Sequence, residues 1–126
     1  MKVKDLMAED VKKIRPEASV MDAIQRMVSE HVTSLLIEGK TLSDYGIITR
    51  RDVITKVVAS GKDLHKTTVS EVMSRGLIMV APEDDVRKAA MLMAKTGLRR
   101  FPVIKEDKVV GLISNGDILK ASIPDK

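Results

Sequence analysis

Cysteine is absent from the 126-residue chain, which excludes a disulfide framework and any thiolate metal site and suits a reducing compartment. Aromatic side chains are reduced to Tyr45 and Phe101, so the stacking platforms of a single-strand or RNA binder are missing. No apolar run approaches the roughly 18 residues of a membrane span. The opening Met1-Lys2-Val3-Lys4-Asp5 lacks the apolar centre of a signal peptide, and we expect a soluble, unprocessed, cytoplasmic protein. Side-chain amides are limited to Gln25 and Asn115, as in heat-adapted proteins, whereas eight methionines run against that trend. Neither sign of charge dominates: 22 Lys and Arg face 18 acidic residues, and the resulting +4 is spread along the chain, a weak bias toward anionic ligands. Walker loop, dinucleotide-binding glycine fingerprint and nucleophile elbow are all missing. His31 and His65 stand alone, without the second histidine or spaced carboxylate that a metal site needs. The acidic run Glu83-Asp84-Asp85 lies beside an expected helix start, where a cap outranks a catalytic pair. No catalytic constellation emerges, and we expect no enzyme and no cofactor.

What the chain does contain, it contains twice. Gly46-Ile47-Ile48-Thr49-Arg50-Arg51-Asp52 and Gly111-Leu112-Ile113-Ser114-Asn115-Gly116-Asp117 each carry a glycine, apolar β-formers, a hydroxyl residue and an aspartate three positions later. An apolar pair follows in both. This is the pattern of a buried strand turning into a helix, where Thr/Ser and Asp cap free N–H groups and the helix start favours phosphate. Upstream, Met7/Met73, Pro16/Pro82, Glu17/Glu83, Val20/Val86, Ala23/Ala89 and Met27/Met93 match at an offset of 66, and the glycine motifs at 65. The chain is a tandem duplication of a unit of about 60 residues.

Each unit reads as strand, helix, strand, strand, helix. Residues 3–7 form a short helical turn and residues 11–14 an extended segment ended by Arg15-Pro16. Ser19 caps a helix with the stripe Val20, Ala23, Ile24, Met27, Val28. Residues 35–37 and 45–49 form a hairpin around a polar turn, and residues 50–59 a second helix with Val53, Ile54, Val57 and Val58 on one face. The fold class is α+β, with a first repeat over 1–60, a linker over 61–68 and a second repeat over 69–126. A 60-residue unit is marginal alone, so two β-α-β-β-α units should pack around a pseudo-two-fold axis, with one motif at the mouth of each cleft between them.

These features resemble the cystathionine-beta-synthase (CBS) domain, whose tandem pair is a Bateman module. The resemblance rests on Asp5-Leu6-Met7 and Glu71-Val72-Met73, on Arg100-Phe101-Pro102-Val103, and on both glycine-to-aspartate motifs, in order over nearly the whole chain. It implies that the clefts bind AMP, ADP, ATP or S-adenosylmethionine, with Thr49 and Ser114 on phosphate or ribose and Asp52 and Asp117 accepting the ribose hydroxyls. It further implies that adenine lies against residues 11–14 and 35–37 in one site, including Lys13, Ile14, Leu35 and Ile37. In the other it would lie against 78–80 and 101–103, including Met79, Val80, Phe101, Pro102 and Val103, with Arg100 beside them. Arg50 and Arg51 stand where the second copy has the neutral Asn115 and Gly116, so the two sites should differ.

The expected protein is a free-standing regulatory or sensing module that acts through an unknown protein effector. The helices after each motif should form a homodimer through Val53, Ile54, Val57, Val58, Ile118 and Leu119. A structural interaction module without ligand is the alternative, and a weak nucleic-acid binder a further one. Membrane and nucleic acid are not expected partners.

Overall fold

The computed structural model describes residues 1–122; residues 123–126, which close the expected second repeat, lie outside the described residues. In chain order it contains α1 (Val3–Leu6), α2 (Val20–Glu30), β1 (Ser34–Ile37), a 3-10 turn (Leu42–Asp44), β2 (Gly46–Thr49), α3 (Arg50–Asp52), a π-helix (Val53–Val58), α4 (Val69–Val72), α5 (Val86–Thr96), β3 (Arg100–Lys105), β4 (Lys108–Ser114) and α6 (Asn115–Ala121). The class is α+β. Two compact units form, Lys12–Leu77 and Met1–Val11 with Ile78–Lys126. The units cut across the repeats, because the opening segment of each repeat packs with the body of the other.

In the unit 12–77, β1 and β2 pair antiparallel with Ser34 opposite Thr49 and Ile37 opposite Gly46. The expected third strand shrinks to one residue, Lys13, bridged parallel to Leu36. The Ile14 amide donates to the Leu36 carbonyl and the Leu36 amide to that of Lys12. The next donor that this segment would offer a parallel ladder is residue 16, a proline with no N–H, so the segment cannot extend the pairing. Ser19 caps α2 by accepting the Asp22 amide at 3.0 Å, and His31 ends it in the left-handed region at φ 55°. Val20, Ala23 and Met27 enter the core with Leu35, Ile37 and Ile48. The expected linker is tied down, Thr67 and Leu64 accepting the amides of Val20 and Met21 at 2.8 and 3.0 Å.

The helix after the first motif departs from expectation. One α-turn gives way to π winding over Val53–Val58, and only Val53 and Val57 are buried there. Five of those six residues are β-branched, which crowds an α-helix, and the Thr55 hydroxyl donates to the Arg51 carbonyl at 2.8 Å, competing with the ladder. Ile54 and Val58 are more than half exposed, so the four residues expected on one face are split between core and surface.

The second unit repeats the plan. β3 and β4 pair antiparallel, with an irregularity between Val103 and Ile104, around a two-residue turn whose Glu106 and Asp107 both take positive φ, 53° and 63°. Val80 makes the single parallel bridge to Val103, and again the next donor would be a proline, Pro82. Asp85 caps α5 by accepting the Arg87 amide at 2.7 Å, and Gly97 closes it at φ 76°. Phe101, Val103, Val80, Ile113, Ala89 and Val3 form the core.

Candidate functional site

Each glycine motif ends its strand in a reciprocal cap. Thr49, in extended geometry at φ −116° and ψ 161°, precedes α3. Its hydroxyl accepts the Asp52 amide at 3.1 Å, while Asp52 Oδ2 accepts the Thr49 amide at 2.9 Å and the Thr49 hydroxyl at 3.1 Å. Ser114 and Asp117 do the same before α6. The Ser114 hydroxyl accepts the Asp117 amide at 3.2 Å, and Asp117 Oδ2 accepts the Ser114 amide and hydroxyl at 2.9 and 3.0 Å. Both motifs are complete capping boxes. One oxygen of each carboxylate is used up by the cap, and Oδ1 remains. Asp52 Oδ1 pairs with Lys56 Nζ at 3.2 Å.

The backbone after each hydroxyl ties the motif to the residue just before the first strand of its hairpin, β1 or β3. The Arg50 amide donates to the Thr33 carbonyl at 3.1 Å and the Asn115 amide to that of Arg99 at 2.8 Å. Arg50, Arg51 and Asn115 are exposed; the Asn115 side chain accepts the Gly116 amide at 3.0 Å. Two exposed arginines therefore stand between Thr49 and Asp52 in the chain where the second motif has an amide and a glycine.

The residues expected to wall an adenine divide sharply by burial. Leu35, Ile37, Phe101 and Val103 are at most 1 % exposed and pack into the two cores. Pro102 and Val80 are also buried. Ile14 and Met79 are half-buried, Lys13 is exposed and Arg100 half-buried. Lys13 forms an ion pair with Glu38. Accessible side chain is thus offered by Lys13, Ile14, Met79 and Arg100, and core packing accounts for the others.

Surface cavities gather other residues. One of about 750 Å³ is lined by Lys13, Ile14, Arg15 and Pro16 together with Asp22, Gln25, Arg26 and Ser29 of α2. Another, of about 690 Å³, joins Arg50 to Val28, Ile54 and Val58. A third, of about 740 Å³ along α5, includes Arg87, Met91 and Lys95. None of the three is lined by Asp52 or Asp117.

Glu83 bridges two ammonium groups, Lys2 at 2.6 Å and Lys4 at 2.9 Å. Its hydrogen bonds to Lys2 and then Lys4 pull its carboxyl down to about 2, and the same contact raises the Lys2 ammonium. Among the described residues no group of three or more His, Asp or Glu side chains is placed to hold a metal ion, and no helix is long and apolar enough to cross a membrane. Sequence reasoning missed Lys56, although the signal was there: a lysine four residues after the motif's aspartate lies on the same helix face.

The family described as CBS domain matches residues 3–59 and again residues 69–124. The CBS domain-containing protein CBSX3, mitochondrial, of Arabidopsis thaliana is 34% identical over 109 residues, covering 83% of this chain and 53% of its own. The chain thus spans about half the length of that relative. The hexameric CBS-CP12 protein from bloom-forming cyanobacteria has a similar structure, with TM-score 0.89 and 36% identity over 94% of this chain and 66% of its own. The CBS domain pair of protein MJ0100, solved in complex with 5′-methylthioadenosine and S-adenosyl-L-methionine, is similar at TM-score 0.83 and 27% identity, covering 96% of this chain and 94% of its own.

Proposed function

The chain belongs to the CBS domain family, as a pair of CBS domains, and we propose that it is a regulatory module whose two strand-to-helix motifs bind an adenosyl ligand such as AMP, ADP, ATP or S-adenosylmethionine. The observation that carries the reading is the doubled capping box. At both motifs a hydroxyl and a carboxylate meet at a strand end, and the cap consumes one carboxylate oxygen; the other faces only Lys56 at Asp52 and is left for a ligand hydroxyl at Asp117. The ligands seen in the similar MJ0100 pair support the adenosyl class. On this reading Lys13, Ile14, Met79 and Arg100 are the accessible groups nearest a base, and Arg50 and Arg51 make the first motif prefer more phosphates than the second. A charge-assisted contact of that kind contributes about 1.5–3 kcal/mol when well formed.

The reading assigns the chain no catalysis, a cytoplasmic setting, and output through a protein effector. It also includes a homodimer. Support for that comes from Val28, Ile54 and Val58, all more than half exposed, around one cavity. Val53 and Val57, by contrast, are committed to their own core.

Thermal unfolding with and without millimolar AMP, ATP or S-adenosylmethionine tests the ligand, since anything selective for the native state raises Tm. A rise of several degrees with one of them supports the reading; no rise with any supports the second reading, a ligand-free interaction module. That second reading is favoured by one observation: both caps are complete without a ligand.

A further inference from the structure

Asp52 and Asp117 hold equivalent places in the two motifs, yet their second carboxylate oxygens are engaged differently. Asp52 Oδ1 receives Lys56 Nζ at 3.2 Å, and the same ammonium donates to the Val72 carbonyl at 3.0 Å, the last residue of α4. Asp52 is therefore held on one oxygen by Thr49 and on the other by Lys56. At the second motif the residue matching Lys56 is Ala121. Asp117 Oδ1 accordingly has no partner among the described residues.

We infer that Lys56 is the specificity-determining residue that sets the two motifs apart toward ribose, by occupying the acceptor oxygen a sugar hydroxyl would need at Asp52. The inference rests on the proposed role of the two aspartates as ribose acceptors. With Oδ2 already taking two donors from the cap, a vicinal diol must be accepted chiefly by Oδ1. At Asp117 that oxygen is open. At Asp52 the diol displaces or shares an ammonium whose second anchor, the Val72 carbonyl, keeps it close by. The pair is partly solvated, with 45% of the Lys56 side chain and 13% of Asp52 exposed, so the competition is modest and corresponds to roughly a two- to tenfold difference in affinity. A nucleoside without phosphates should thus prefer the Ser114/Asp117 motif, while added phosphates recruit Arg50 and Arg51 and narrow the gap.

Lys56 acts here through Asp52, so its test compares a ligand with the diol and one without it. Adenosine and 2′,3′-dideoxyadenosine are titrated by calorimetry into Asp117→Ala protein, where only the first motif remains, with and without Lys56→Met, which keeps the apolar stem. The expected result is a roughly two- to tenfold gain for adenosine on removing the charge, with dideoxyadenosine unmoved. The converse variant, Ala121→Lys in Asp52→Ala protein, should weaken adenosine by a similar factor at the second motif. Adenosine binding that is indifferent to both changes overturns the role of Lys56 while leaving the aspartates as ribose sites. Equal gains for adenosine and dideoxyadenosine overturn it too, since a merely structural effect would not read the diol. No adenosine binding to either single-motif protein overturns the proposed ribose sites, and this inference with them.

Discussion

The thioether of Met73 fills the space that a side chain on Gly46 would need: a Cβ there would stand 2.7 Å from Met73 Sδ. Met7 lies over Gly111 in the same way, with Sδ 2.5 Å from the corresponding point. Each motif's glycine is required by close approach, and in each case the methionine comes from the opening segment of the other repeat. The Ile47 amide donates to the Ser74 carbonyl at 3.0 Å and the Ala8 amide to that of Leu112 at 2.9 Å, pinning those segments along the sheet edges.

Gly46→Ala should therefore destabilise the protein by about 1–3 kcal/mol, the usual cost of overpacking. The three nearest atoms to a carbon added at Gly46 all belong to the Met73 side chain, so in Met73→Ala protein the same change should cost little. Gly111→Ala should keep part of its cost in Met7→Ala protein, because the Ala8 carbonyl oxygen also lies 3.0 Å from the added carbon. Double-mutant cycles in urea read both couplings. Equal residual costs in the two backgrounds would count against this packing.

Loss of a cap is the second expectation. Thr49→Ala and Ser114→Ala should each cost about 1 kcal/mol in unfolding free energy, with no change in fold by circular dichroism. Costs below a few tenths for both would show that the reciprocal bonds contribute nothing in solution.

Acid titration gives a third. The Glu83 carboxyl is held at about 2 rather than its ordinary 4.5, so it binds its proton more weakly folded than unfolded. Its contribution to stability is present at neutral pH and is lost as pH falls from about 4.5 toward about 2. Lys2, raised above its ordinary 10.5, loses its contribution as pH climbs past that value. The site is exposed and the effect small. An NMR titration should place Glu83 lowest among the glutamates, and Glu83→Gln should flatten the acid limb of stability; an ordinary glutamate midpoint would refute the Lys2–Glu83–Lys4 contact.

Much of this was legible in the sequence because period and repetition carried it. The Ser19 cap, the Thr49/Asp52 and Ser114/Asp117 boxes and the α2 stripe through Met27 follow from residue type and spacing, whereas Val28, expected on that stripe, is exposed at its edge. The truncated outer strand was legible too, in Pro16 and Pro82, had the ladder been counted through to the next N–H donor. What spacing could not give was the third dimension. A helical period of 3.6 places Val53, Ile54, Val57 and Val58 on one broad stripe, of which only the Val53/Val57 edge reaches the core while Ile54 and Val58 stay exposed. Nor does local pattern reveal that Met7 belongs over Gly111, about a hundred residues on.

The split helix gives a fourth expectation. If the exposed trio Val28, Ile54 and Val58 forms the homodimer contact, Ile54→Glu should yield a monomer in light scattering at micromolar concentration without lowering the unfolding midpoint of the separated chain. A wild-type protein that is already monomeric there would remove the homodimer from the account.

The central claim is that the two aspartate motifs bind an adenosyl ligand. Calorimetric titration of AMP, ATP and S-adenosylmethionine into the wild type, Asp52→Ala, Asp117→Ala and the double variant tests it most directly. The account predicts saturable binding to the wild type, loss of one site in each single variant, and no binding to a folded double variant. Undiminished binding to the double variant, or no heat from any ligand with the wild type, would contradict it.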